Sequence, residues 1–369
     1  MKILANISRI LIGLVFIFSG FVKGVDPLGT AYRIEDYFIA FGTDWAIPLS
    51  LFLSIGLCAL EFTLGVSMLL NLRIRLMAWP LLLMMILFTG LTLNDAINNP
   101  VPDCGCFGDA ITLSNWETFY KNIVLIILVF IIFSYREKYQ PWLMPKAGNI
   151  GVLIVFLAFG SFSFTEYRHL PLIDFLPWKV GKDMVPDNPG KPKVYLTYRN
   201  INTGETKEYL SPDYPWNDTL WAKEWVFVDQ RIDDSQVIKG HTLHIFDSQS
   251  NEVTEEFINN PGYQFLVVAW DLDESSRKGI EELNQLFAEV SARGHSFVVL
   301  TASPDETIEA YRQGLHPELE FYHADDVELK MMVRANPGLI LLKDGVVLGK
   351  WNWRDVPGME RLEKKFKDM

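Results

Sequence analysis

The chain has 369 residues, 49% of them hydrophobic, a net charge of −12 and three cysteines. That acidity excludes a nucleic-acid binder, which needs a clustered basic surface, and three cysteines are too few for a disulfide framework. The apolar residues are unevenly shared: long apolar runs dominate roughly the first 165 residues, and the remainder carries the spread charge and turn residues of a soluble module.

The first apolar run has no small-residue cleavage site and more runs follow it, so it reads as a retained membrane helix. Segments near 6–24, 47–70, 76–96, 117–134 and 149–165 are long enough to span a ~30 Å hydrocarbon core. The last is the shortest, and four spans is the alternative count. Between the first two, Tyr32–Phe41 mixes Tyr37, Phe38 and Phe41 with Arg33, Glu35 and Asp36, which predicts an amphipathic helix at the interface. Lys2 and Arg9, Arg73 and Arg75, and Arg136, Lys138 and Lys146 fall on one side if there are five spans. The connection from Leu93 to Trp116 carries Asp95, Asp103 and Asp109 and no Lys or Arg. The positive-inside rule then makes the amino terminus cytoplasmic, in the inner (cytoplasmic) membrane if the chain is bacterial. It puts Cys104, Cys106 and everything after the fifth span outside, in the periplasm.

Two ionisable residues lie in the spans. Arg9 is near enough to an end to snorkel. Glu61 is well inside the second span and must be paired or protonated. Its two open roles are hydrogen bonding to another helix, with Gly65 four residues on, and a proton or quinol role. Cys58, one turn before it, reads as a small buried hydrophobe.

Arg9-Ile-Leu-Ile-Gly13, Phe18-Ser-Gly20-Phe-Val-Lys23 and Asp26-Pro27 resemble the first span of the DoxX family, and Glu61-Phe-Thr-Leu-Gly65 with Leu-Leu-Asn-Leu-Arg73 resembles its second. Cys-x-Cys-Phe-Gly at 104–108 is similar to the related MauE branch, linked to methylamine utilisation. The resemblance covers about residues 1–135. It implies a four-helix membrane core, and quinone-linked oxidation or maturation and disulfide formation of exported proteins.

Cys104 and Cys106 are separated only by Gly105. A disulfide across that spacing closes a small strained ring and is labile rather than structural. Nothing basic is close in sequence to lower a thiol pKa, and Asp103 and Asp109 oppose a thiolate. Three roles stay open: a redox pair, a static loop clip, and a metal site, which lacks the further ligands zinc expects. Cycling needs an electron acceptor, and membrane quinone is the natural one; no other cofactor is implied.

In the soluble half, Glu166–Lys182 reads as an interface collar and Asp187–Pro192 as a turn cluster. Val194–Tyr198 and Thr206–Leu210 predict a hairpin through Asn202-Thr-Gly204. Trp225–Asp229 and His241–Phe246 predict strands, with Trp216, Trp221 and Trp225 among them as an aromatic core or, in the alternative, a ligand platform. Phe265–Trp270 and Ser296–Leu300 are continuous apolar runs, as in strands buried on both faces. Ser275–Arg293 has helical periodicity, 304–314 predicts a helix capped by Ser303, and 326–333 another. Residues 337–342 and 346–351 predict a hairpin. His295, His316 and His323 are scattered surface or loop residues.

Asn336-Pro337 before an apolar strand, Lys343-Asp-Gly345 and Val267-Val-Ala-Trp270 resemble the thioredoxin family over about 243–367. That family has Cys-x-x-Cys where this chain has Asp271-Leu-Asp-Glu-Ser-Ser276, and no cysteine follows Cys106. The domain therefore runs no dithiol chemistry by itself and is left with binding or docking; Asp271, Asp273 and Glu274 cap the helix electrostatically or, in the alternative, form a metal site. The expected organisation is a DoxX/MauE-like domain at 1–146, a fifth helix and collar at 147–182, a β-rich segment at 183–242 and a thioredoxin-like α/β domain at 243–369. The leading expectation is an envelope redox or maturation factor working through Cys104 and Cys106 on an exported or envelope protein. The alternative is a non-enzymatic, membrane-anchored docking protein with a structural cysteine pair.

Overall fold

The computed structural model describes residues 1–101, 105–185, 193–215, 218–233, 241–313 and 315–366. Pro102, Asp103, Cys104, the turn cluster at 187–192, Trp216 and Gly314 therefore lie outside the described residues. The first half comprises α1 (Lys2–Val25), α2 (Pro27–Ala40), α3 (Ser50–Leu69), α4 (Ile74–Asn98), α5 (Asn115–Tyr135) and α6 (Pro145–Arg168). Among the described residues, five helices are long and apolar enough to cross a membrane, all of these except α2. The fifth, α6, has 24 residues, as many as α1, so the last span is not a short one. The helix α2 starts earlier than expected because Asp26-Pro27 opens it: Pro27 suits the first turn, and the Asp26 side chain accepts from Gly29 N at 2.9 Å.

Small residues bring α1 and α3 together. A Cβ at Gly20 would meet Phe62 N at 2.6 Å, and one at Gly65 would meet Ile17 N at 2.6 Å. Close backbone approach of this kind is how membrane helices associate where burial of apolar surface from water is not available. Gly65→Val is expected to splay the pair and cost about 1–3 kcal/mol, read as a lower melting temperature in detergent. Arg9 does not snorkel. It turns inward, is 9% exposed, and donates to the carbonyls of Met68 and Leu69 at the end of α3. A cation there satisfies carbonyls that the helix leaves open and opposes its dipole.

One end of the bundle gathers the Arg75–Glu137 pair (2.8 Å), Asn71 donating to the Gln140 carbonyl and Tyr139 donating to the Ala5 carbonyl. The loop after α4 and the chain leaving α6 lie at the other end, so the cysteine loop and the second half of the chain share one side of the bundle.

The second half holds two sheets. The strands β1 (Lys193–Asn200) and β2 (Thr206–Leu210), the short helix α7 (Trp221–Glu224) and the strand β3 (Trp225–Asp233) form an antiparallel unit ordered β2-β1-β3. Trp221 lies 4.7 Å from Tyr198 and 6.3 Å from Trp225 between ring centroids, the expected aromatic cluster. After it come β4 (Ile245–Phe246), α8 (Thr254–Ile258), β5 (Tyr263–Val268), α9 (Arg277–Ser291), β6 (Ser296–Thr301), α10 (Asp305–Arg312), β7 (Glu320–Ala324), α11 (Asp326–Met332), β8 (Gly338–Lys343), β9 (Val346–Asn352) and α12 (Met359–Lys365). The sheet is ordered β4-β7-β6-β5-β8-β9, with β5, β6 and β7 parallel and β8 antiparallel to β5. Every residue of β5 is buried. Strand alternation sends Leu266 and Val268 to one core and Phe265 and Val267 to the other.

Several expectations change. The strand β7 was not anticipated, and His323 lies on it, 2.9 Å from Asp305. The strand β4 is shorter than 241–246. Ser303 does not cap α10, whose N-cap is Pro304; its hydroxyl accepts from Leu272 N at 2.9 Å. Ser276 caps α9, while Asp271 accepts from Asp273 N and Glu274 N in the turn before it. The collar does not lie at the lipid interface throughout: Trp178 is buried in the sheet's core with Leu266.

Candidate functional site

The site forms where α1, α3 and the loop between α4 and α5 converge. Ser19 and Lys23 are four residues apart on α1 and therefore share a face. The close crossing at Gly20 turns that face toward Glu61 on α3. Lys23 Nζ is 2.5 Å from Glu61 Oε1, with the two side chains 5% and 2% exposed. The Ser19 hydroxyl is 3.0 Å from Glu61 Oε2 and 2.9 Å from the carbonyl oxygen of Cys106. A serine has one proton to donate. With Glu61 ionised, its carboxylate and the loop carbonyl compete for that proton. With Glu61 protonated, its own O–H can donate to Ser19 and release the serine proton to Cys106. Glu61 thus has the interhelical partners a buried carboxylate requires, and through Ser19 it touches the loop.

The loop itself is tightly held. Gly105 has φ +60°, and a Cβ there would fall 2.9 Å from Arg33 Cγ, so a glycine is required on both counts. The Phe107 ring lies 5.5 Å from that of Phe18, with Lys121 Nζ 4.3 Å from its centroid. Half-buried Cys106 lines a cavity of about 130 Å³ with Lys23, Arg33, Tyr37, Leu57 and Phe88. The walls are mostly apolar. Lys121 joins Cys106, Lys23 and Glu61 around a smaller adjoining cavity. Sequence neighbours supply no positive charge near Cys106, but the fold brings three cations to it from α1, α2 and α5. Cys58 is fully buried beside Ala59 and Phe159, as a small hydrophobe would be.

The second half of the chain reaches the same place. Arg334, in the segment between α11 and β8, is 2.8 Å from Asp26 and 2.6 Å from Asp109. Burial alone would lower the Arg334 pKa, but the two carboxylates outweigh it and raise it. Tyr32 of α2 meets Trp270, just after β5, edge to face at 6.4 Å. Between them lies a cleft of about 270 Å³ whose walls include Glu35, Lys330, Arg334 and Asn336. Burial pushes the Glu35 carboxyl up. The Asn336–Pro337 peptide beside the cleft is cis.

Sequence reasoning singled out Glu61 and Cys106, which the fold brings together, and Cys104, which lies outside the described residues. It missed Ser19, Asp26 and Arg334, and it did not assign Lys23 to Glu61. The signals available were the four-residue spacing of Ser19 and Lys23 and the Phe18–Lys23 and Asp26-Pro27 stretches of the family resemblance; nothing local in the sequence marks Arg334.

Residues 1–135 match the family model described as methylamine utilisation protein MauE, and this part of the chain is a MauE-family membrane domain of apolar helices. The match covers 135 of the 369 residues. No curated protein and no solved structure matches the chain.

Proposed function

We propose that the chain is a membrane thiol–disulfide component in which Cys104 and Cys106 exchange electrons with an exported thiol protein. In the forward step the Cys104–Cys106 disulfide is attacked by a partner thiolate and a mixed disulfide forms. The partner's second thiolate then resolves it, so the partner gains its disulfide and the pair leaves as two thiols. A membrane quinone takes the two electrons and two protons and becomes quinol. The observation that carries this reading is the position of Cys106. Its carbonyl is tied by Ser19 to a buried, ionisable Lys23–Glu61 pair, and its side of the loop borders an apolar cavity able to admit part of a ring. Glu61 would hold or pass a proton as the pair is reoxidised.

The same reading puts the amino terminus in the cytoplasm and the second half of the chain in the periplasm, supported by Arg73, Arg75 and Arg136 gathering at the end opposite the loop. It takes residues 243–369 as thioredoxin-like without catalytic cysteines. Support comes from β5, α9, β6 and the β8–β9 hairpin in that order, with Trp270 and Asn336-Pro337 at one end of the sheet. That end faces α2, so an exported partner would be held by another face.

Cys106→Ser is expected to trap Cys104 in a mixed disulfide, formed by attack of the Cys104 thiolate on the disulfide of the oxidised partner, which leaves as a thiolate, with no second cysteine to resolve it; it is seen as a reducible mass shift on non-reducing gels of cell membranes. An adduct-free variant with unchanged function sinks the redox reading. It would favour the docking-protein alternative, for which the absence of any cysteine beyond Cys106 speaks. In that case a Cys104→Ser/Cys106→Ser double variant complements fully.

A further inference from the structure

We propose that Arg334 is a positioning residue for the cysteine loop, through which the second half of the chain sets the reactivity of Cys106. The proposal rests on the redox reading above for its purpose, but its test does not. The Arg334 side chain is 4% exposed, and all three of its nitrogens are engaged. Nε donates to Asp26 at 2.8 Å, Nη2 to Asp109 at 2.6 Å and Nη1 to the Lys330 carbonyl at 2.7 Å. Asp26 caps α2 with its other oxygen. Asp109 sits three residues after Cys106, in the turn Gly108–Ala110. One guanidinium thus fastens α2, the loop and the segment before β8 to each other.

A fork is needed for that task. Lysine offers a point charge and would hold one carboxylate at a time, whereas the planar guanidinium spans both with fixed angles. The electrostatic consequence falls on the thiol. A carboxylate close to a cysteine disfavours its thiolate, and the thiolate is the reactive form. Among the described residues, Lys23 from α1, Arg33 from α2, Glu61 from α3 and Lys121 from α5 share cavity walls with Cys106, and Asp109 follows it by three residues in the same loop. Lys23 is committed to Glu61, and Asp109 is a loop carboxylate whose partner comes from the second half of the chain. Arg334 pairs with it and offsets its charge. If the second half of the chain moves off the bundle, Asp109 is released and the thiol is quietened. Docking and thiol reactivity are therefore coupled.

The test uses the full-length protein in lipid nanodiscs, with Cys58→Ser and Cys104→Ser so that Cys106 is the reporting thiol, and follows its alkylation by iodoacetamide at pH 7.5. Arg334→Gln is expected to slow alkylation about three- to tenfold, the effect of a thiolate pKa raised by up to one unit. Asp109→Asn, which leaves the guanidinium with one carboxylate, is expected to speed it by a similar factor. Arg334→Gln/Asp109→Asn returns it to within about twofold of the parent, which loss of structure alone would not do. An unchanged or faster rate in Arg334→Gln, or a double variant slower than Arg334→Gln, overturns the proposal. Should Arg334→Gln fail to fold, Asp109→Asn still decides: an unchanged or slower rate there overturns it. Because the rate is a property of the purified chain, it stands or falls separately from disulfide trapping in cells.

Discussion

Lys23→Met is expected to destabilise the bundle by about 3–5 kcal/mol, and adding Glu61→Met to restore most of the loss. The reason is asymmetry between breaking and deleting a buried pair. Lys23 and Glu61 are nearly inaccessible and 2.5 Å apart, on two helices each long and apolar enough to cross a membrane. Removing the cation alone strands a carboxylate with Ser19 as its remaining hydrogen-bond partner. Removing both replaces two desolvated charges with apolar volume against Phe88 and Met85, which already border the site. Thermal unfolding in detergent reads the stability of each variant, and a cell-based assay reads function. The combination separates the two roles left open for Glu61. A double variant that is stable and fully active assigns the pair to helix packing. One that is stable and inactive assigns it to proton handling, because the fold has been returned without the ionisable group.

What the sequence disclosed, and what it withheld, follows from how far apart the cooperating residues lie. The spans were legible because each is a local apolar run, and the five helices fall where those runs are. Strands β5 and β6 were legible for the same reason: a strand buried on both faces is continuous in composition. The strand β7 was not, because Glu320-Phe-Tyr-His-Ala324 is short, neither alternates nor runs continuously apolar, and takes its identity from pairing with β6. Glu61 stood out as a carboxylate in an apolar segment, but its partner is 38 residues away. At the end of an apolar run a lysine looks like an ordinary interfacial cation. Arg9 misled in the opposite sense: its position near an end suggested escape to water, whereas the open carbonyls of α3 offered a better partner. Arg334 was invisible because its partners are 308 and 225 residues distant, and no local pattern encodes a contact between the two halves.

Phe265→Ala is expected to cost about 3–5 kcal/mol and to melt the second half of the chain while the bundle stays folded. Phe265 is fully buried on the central strand β5, stacked at 5.8 Å from Phe297, and its loss leaves a cavity that the surrounding strands cannot close without breaking their ladders. Among the described residues, the two halves meet through Arg334 with Asp26 and Asp109, Tyr32 with Trp270 and Lys330, His169 with Asp355 at 2.8 Å, and Asn352 and Arg354 with the His169 and Arg168 carbonyls. Each half has its own buried core, so cooperativity between them is limited to what those contacts transmit. Circular dichroism on heating should therefore separate into two steps, with the first moved down in temperature by Phe265→Ala and the second unmoved. A single step shifted as a whole would mean that the contacts at Arg334 fuse the molecule into one unit. Between the two steps the bundle would persist with Asp109 unpaired, and Cys106 alkylation would fall although every residue around the thiol within the membrane domain is intact. That conjunction, a folded bundle with a quiet thiol, is what the proposed coupling through Arg334 requires.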